Sequence, residues 1–236
     1  MDLNGGFCEF VSVNESMCYK MPEGSNPKHA ALVEILGIGF HACNRAKVKQ
    51  GDTILIWGAG KVGQCILQAA LTRSVKKIIM VDILDERLRM AKNAFPEIHT
   101  VNATQGNPRE AIMSITKHGV DVAFEAVGHA KAIEGAENPA RGCINSIVGG
   151  GTVCVLGLAD QEFPIVFKEL IWKEGSIIAS RVSHGEFAEV INHIAEGKLN
   201  PDALVSSVFP MEQAQKAFQK LELQPEQELK ILLENS

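Results

Sequence analysis

Apolar positions fall along this chain in two rhythms. Thr53–Trp57 and the segment ending in Val81-Asp82 are short unbroken apolar runs, the pattern of strands buried on both faces. Between them a helix-like stretch follows a glycine turn. The alternation continues downstream: a helix over Asp85 to Ala94, a strand at Thr100 to Asn102, a helix over Pro108 to Lys117 and a strand at Val120 to Glu125. Further helices are predicted around Ala130 to Glu137 and Arg141 to Val148. Gly149-Gly150-Gly151 reads as a break, with strands at Thr152 to Leu156 and Ser176 to Arg181 and a helix over Glu186 to Glu196. Repeated strand–helix units imply an α/β fold, a doubly wound parallel sheet covered on both faces.

The ends differ. Phe7 to Val13 alternates like a strand, Asn14-Glu15-Ser16 reads as a turn, and a second short strand is expected at Met17 to Lys20. Neither has a partner nearby in sequence, so a distant one is implied. His29 to Gln50 reads as helical, with Gly37 and Gly39 dividing it and a second helix over Phe40 to Ala46. The tail predicts a strand at Val205 to Phe209, a helix over Met211 to Leu221 and a last strand at Leu229 to Leu233.

The turn between the first two core strands is Gly58-Ala59-Gly60-Lys61-Val62-Gly63. Strand, glycine turn, helix, strand and acid in that order form the context a dinucleotide fingerprint requires. Gly58 permits a tight turn, Gly60 lets backbone approach a pyrophosphate, and Gly63 lets helix and sheet close up. The phosphates would lie over the helix N-terminus, where unpaired N–H groups favour anions. Asp82 ends the second strand, where a carboxylate accepts both hydroxyls of the adenosine ribose and repels a 2′-phosphate. NAD is therefore expected rather than NADP. Asp82 also admits a plainer reading, as the residue that starts the helix carrying Asp85 and Glu86.

Composition narrows the field. The chain has 236 residues, 46% of them hydrophobic, and a formal charge of −5 without basic clusters, so nucleic acid is not an expected partner. No apolar run is long enough for a bilayer and no signal core opens the sequence, so neither a membrane nor export is expected and the location is read as cytoplasmic. The six cysteines form no CxxC pair and read as reduced, small apolar residues.

The residues also resemble a known family, the medium-chain zinc-type alcohol and polyol dehydrogenases, nearest the sorbitol and threonine dehydrogenase branch. The segments that carry this are Gly5-Gly6-Phe7-Cys8-Glu9-Phe10-Val11, Ala30-Ala31-Leu32-Val33-Glu34, Gly39-Phe40-His41-Ala42 and Gly51-Asp52-Thr53 into the glycine turn. Val81-Asp82-Ile83, Glu86-Arg87-Leu88, Asp121 to Gly128 and Gly150-Gly151-Thr152-Val153 continue it. The resemblance implies a Rossmann domain over residues 28–200, flanked by remnants of a GroES-like β substrate domain at 1–27 and 201–236. By the same resemblance Gly58, Gly60, Lys61, Val62 and Gly63 would hold the pyrophosphate, and Asp82 with Arg87 the adenine ribose. Ala126, Val127 and Gly128 would line the passage toward the nicotinamide. Leu156, Gly157 and Leu158, with Ser180 and Arg181, would lie beside it; plain core packing remains open for Leu156 and Leu158.

Glu34 matches a position that supplies a catalytic zinc ligand in the family, although Ile35 stands where proline is usual; a solvated glutamate is the other reading. Family members carry a longer front section with the remaining zinc ligands and the proton relay. A catalytic zinc needs about three protein ligands, and the seven histidines here show no ligand spacing. Zinc is thus expected only in a full-length relative. His41 lies nearest the expected cleft, as a packed or capping residue. The resemblance also implies a homodimer joined through the last strand of the sheet. Two functions stand open: an oxidoreductase, or its cofactor-binding part, that passes hydride between NAD and a small alcohol or ketone; and a non-catalytic NAD-binding module that kept the fold and lost the chemistry.

Overall fold

A computed structural model describes residues 5–128, 138–160, 162 and 164–235. The expected helix at Ala130 to Glu137 lies outside those residues. A short helix, α1 (Pro27–Ala30), leads into α2 (Val33–Arg45). Strand and helix then alternate as β1 (Thr53–Trp57), α3 (Lys61–Leu71), β2 (Lys77–Asp82), α4 (Asp85–Ala94), β3 (His99–Asn102), α5 (Pro108–Thr116) and β4 (Val120–Glu125). The second half runs α6 (Pro139–Ser146), β5 (Ile147–Val155), α7 (Phe167–Ile171), β6 (Ser176–Ala179) and α8 (Phe187–Ala195). The chain closes with β7 (Val205–Pro210), α9 (Ala214–Leu223) and β8 (Lys230–Glu234).

The first six strands make one parallel sheet in the order β3-β2-β1-β4-β5-β6. The order reverses between β1 and β4, and a crevice opens at the carboxyl ends of strands at such a switch point. Alternate residues of β1 feed opposite cores. Ile54 and Ile56 pack with α2, α3 and α8, whereas Leu55 and Trp57 pack with Ile112 of α5 and Ile144 of α6. This two-sided burial is why β1 reads as a continuous apolar run.

Several expected elements come out differently. Gly37 and Gly39 do not divide the early helix, because α2 runs through both. A Cβ at Gly39 would stand 2.3 Å from the Cys65 carbonyl oxygen, so the glycine is there to let α2 lie against α3. Phe7 to Val13 and Met17 to Lys20 are not strands; Asn14 instead caps a 3-10 turn over Glu15–Met17. The segment touches the C-terminus through an Asn235 amide bond to the Cys8 carbonyl and a Phe7–Phe218 ring contact, but no strand edge is offered to it. An alternating pattern without a ladder neighbour has nothing to pair its backbone.

Gly149-Gly150-Gly151 does not break the chain. β5 passes through it, starting at Ile147, with a register shift against β4 between Val120 and Val122. The three glycines bulge out of the ladder between Ile147 and Thr152, and Gly150 takes φ +76°, which glycine adopts freely. α7 has no counterpart among the elements the sequence predicts. The strand expected over Ser176 to Arg181 stops at Ala179. In the tail, β7 and β8 pair in parallel as a separate two-stranded sheet with α9 crossing between them.

None of the six cysteines is in a disulfide, and burial raises the thiols of Cys43 and Cys154 to about 12 and Cys65 higher still, so these three are inert core groups, whereas Cys18 is exposed. No helix among the described residues is long and apolar enough to cross a membrane.

Candidate functional site

The glycine turn leaves β1 by a fixed route. The Gly58 N–H donates to the Val81 carbonyl at 2.7 Å and the Ala126 N–H to the Trp57 carbonyl at 2.8 Å, so the turn sits between β2 and β4. Gly58 adopts φ +113°, and its Cβ would meet the Ala126 carbonyl at 2.9 Å. At Gly63 a Cβ would lie 1.8 Å from the Gly58 carbonyl oxygen, which fixes how tightly α3 folds back on the turn. Gly60 is the N-cap of α3 and offers no side chain to its first-turn amides. A Cβ there would face only Arg87 Nη1, at 3.6 Å, so these amides open onto free space.

That space is a cleft of about 400 Å³. Gly60, Lys61 and Val62 form its floor, with Arg87 on one side. Ala126 and Val127, then Leu156, Gly157 and Leu158, form the other. Gly58, Gly63, Asp82 and Gly128 lie behind this lining and shape it. Gly128 has φ +71°, and a Cβ would meet Leu158 N and O at 2.8 Å, so the turns after β4 and β5 are pressed together.

Asp82 is buried, with both oxygens turned to backbone. Oδ2 accepts from the Ala59 N–H at 2.6 Å; Oδ1 accepts from Ile83 N–H at 2.7 Å and Leu84 N–H at 3.0 Å. It therefore ties the glycine turn to the end of β2. It is not the cap of α4, whose N-cap is Leu84. Oδ1 has both its acceptor positions filled, and Oδ2 keeps one for a ligand hydroxyl.

The remaining expected residues are spread more widely. Ser180 follows β6, donates its N–H to Val155 O, and has a buried hydroxyl without a partner; Arg181 is exposed. Neither belongs to the cleft lining. Glu34 is exposed in the first turn of α2, and no group of three His, Cys, Asp or Glu residues able to hold a metal occurs among the described residues. The donor set around Glu34 thus does not fit zinc. His41 is no cleft residue; its Nδ1 lies 2.8 Å from Glu186 Oε1. Burial raises the Glu186 carboxyl, but bonds from His41, the His184 N–H and Asn44 outweigh it and hold the group below the usual glutamate range.

Two features escape the sequence. Leu221, Pro225, Glu228 and Leu229, from the far end of the chain, complete the cleft wall. Arg87 Nη2 donates to the Pro225 carbonyl at 2.8 Å, and the buried Glu228 pairs with Lys220 at 2.6 Å. No local pattern marks them, because only the fold brings them near the glycine turn. The second is Glu125, 1% exposed at the end of β4, whose Oε1 accepts from Val127 N–H at 2.9 Å and Gly128 N–H at 3.0 Å. Its signal was an acid ending a strand otherwise apolar at Val122, Ala123 and Phe124.

Comparison with known proteins agrees with this geometry. Residues 62–196 match the family described as zinc-binding dehydrogenase. The chain belongs to the zinc-binding dehydrogenase family. It is 29% identical over 214 residues to an L-idonate 5-dehydrogenase of Vitis vinifera, covering 89% of this chain and 57% of that protein. It is 29% identical over 220 residues to a sorbitol dehydrogenase of Bacillus subtilis, covering 92% and 60%. A solved structure described as a short chain alcohol dehydrogenase from E. coli, complexed with cofactor NADH, superposes with a TM-score of 0.85 at 23% identity, covering 94% of this chain and 63% of that one. That last likeness speaks to fold alone. This zinc-binding dehydrogenase chain spans about three fifths of the length of the relatives it matches.

Proposed function

We propose that this chain is the cofactor-binding part of an NAD-dependent oxidoreductase that moves hydride between NAD and a secondary alcohol or polyol. The observation that carries the reading is the cleft over Gly60: uncapped amides of α3 at its floor and Asp82 fixed beside it. A dinucleotide fits this cradle. Its diphosphate suits the α3 amides, where any side chain at Gly60 would intrude, and its adenosine ribose suits the one acceptor position left on Asp82 Oδ2. Bound NAD supplies the hydride acceptor. The chain's own residues bind the diphosphate, orient the adenosine half through Asp82 and Arg87, and hold the nicotinamide half over the turns 126–128 and 156–158, with Ser180 and Arg181 beyond.

Family membership and the sorbitol and idonate dehydrogenases among its relatives support an alcohol or polyol as the substrate class. Zinc is assigned to a full-length relative, because the ligands near Glu34 among the described residues are too few. Residues 28–200 form the proposed dinucleotide domain, with 1–27 and 201–236 as substrate-domain remnants. We place the protein in the cytoplasm and as a homodimer joined along β6, the sheet edge, where Ile177, Trp172 and Ile171 are exposed.

Thermal unfolding with each cofactor tests the core of this. NAD is expected to raise the midpoint more than NADP at equal concentration; equal shifts, or a larger one with NADP, would remove the assignment of Asp82. Metal analysis of the purified chain is expected to find no stoichiometric zinc, and turnover of alcohols to be weak or absent.

A further inference from the structure

Among the described residues, two buried acids besides Asp82 stand at the cleft: Glu228, which is paired with Lys220, and Glu125, which lies behind the wall formed by Ala126, Val127 and Gly157. Asp82 on β2 fixes the adenosine side and the Gly58–Gly63 turn the diphosphate, so the rest of a dinucleotide must run the other way, over β4 and β5. Glu125 ends β4 there. Ala126, Val127, Leu156 and Gly157, which line the cleft, are its chain neighbours or lie against it. The Leu156 and Gly157 N–H groups donate to its backbone carbonyl at 2.9 and 3.1 Å, and a Cβ at Gly157 would stand 2.3 Å from Oε2.

Its charge is poorly compensated. Oε1 takes the Val127 and Gly128 amides, but no ion pair among the described residues includes Glu125. A buried carboxylate without a counter-ion is costly, and its field on a charge across the cleft wall is screened less than that of a surface acid. Oxidised NAD carries a positive pyridinium ring; hydride transfer neutralises it.

We propose that Glu125 biases the cleft toward oxidised over reduced cofactor, its buried charge favouring the cationic nicotinamide. It is a positioning and specificity residue, not one that touches the transferred hydride. The inference rests on the NAD-binding reading above and goes one step past it, to the redox state the site prefers.

The test is the pair of dissociation constants for NAD and NADH, by calorimetry, in the unaltered chain, Glu125→Gln and Glu125→Asp. Glu125→Gln keeps the shape and an acceptor for both amides but removes the charge. It is expected to weaken NAD binding by about threefold to tenfold while NADH changes by less than about twofold. Glu125→Asp keeps the charge, so its NAD-to-NADH ratio should stay near that of the unaltered chain even if both affinities drop. If Glu125→Gln does not fold, Leu156→Lys, which sets a cation on the same wall, is expected to move the ratio in the same direction. Equal weakening of both cofactors in Glu125→Gln overturns the proposal and leaves Glu125 a structural anchor. Failure of the unaltered chain to bind either cofactor overturns the NAD-binding reading itself, and this inference with it.

Discussion

At the scale of single residues, Asp82 has one job that the structure shows, tying the glycine turn to β2, and one that is proposed, holding the ribose. Three backbone N–H groups hold it still behind the cleft lining, and one acceptor position on Oδ2 is left over. Asparagine removes the charge but also sets an NH2 donor against one backbone N–H, so the NAD-to-NADP preference, rather than affinity alone, separates the jobs. Asp82→Asn is expected to weaken NAD by about tenfold, the worth of a charged hydrogen bond, and NADP much less, so that the preference narrows. Calorimetry with both cofactors checks this; an unchanged preference would mean the residue serves the backbone only. The acid was legible in the sequence because it ends an apolar strand at the right distance from a glycine turn. Its three backbone partners were not, since they depend on how the turn bends back to β2. Glu125 was visible as an acid at a strand end too, but its burial follows from the closeness of the 126–128 and 156–158 turns.

At the scale of elements, helices press on the sheet at points set by small residues and one polar clamp. Gly39→Ala would drive a Cβ into the Cys65 carbonyl, and backbone cannot swing aside. A loss of about 1–3 kcal/mol in urea unfolding is expected, the usual cost of overpacking; no loss would mean α2 is free to shift. The clamp is Glu186, which accepts from His41 and Asn44 of α2 and from the His184 N–H. Its folded-state affinity for protons is lowered, so it stabilises the fold above the ordinary glutamate range. That contribution is lost as pH falls below about 4.5 toward its lowered value. Glu186→Gln is expected to flatten the acid limb of a stability–pH profile in that window; an acid limb as steep as before would contradict this. Elements with strong local patterns, such as β1, β4 and α8, were readable. Phe7 to Val13 was misread because alternation describes a strand only when an edge is there to receive it.

At the scale of the whole molecule, a half-covered sheet edge and a cleft completed by the chain's last residues define what the protein can do. β6 carries exposed Ile177, with Trp172 and Ile171 close by in sequence, and such an edge invites a second copy. Light scattering is expected to give a dimer, and Ile177→Lys a monomer; a monomeric unaltered chain contradicts the proposed assembly. The doubly wound topology was legible from the repeated strand–helix rhythm. The wall built by Leu221, Pro225 and Leu229 was not, because it joins residues more than a hundred positions from the turn they cover. The most direct measurement is a calorimetric titration of the purified chain with NAD. One saturable site, tighter for NAD than for NADP and lost in Gly60→Asp, is the predicted result; absence of binding, or binding untouched by that substitution, would contradict a dinucleotide held over α3.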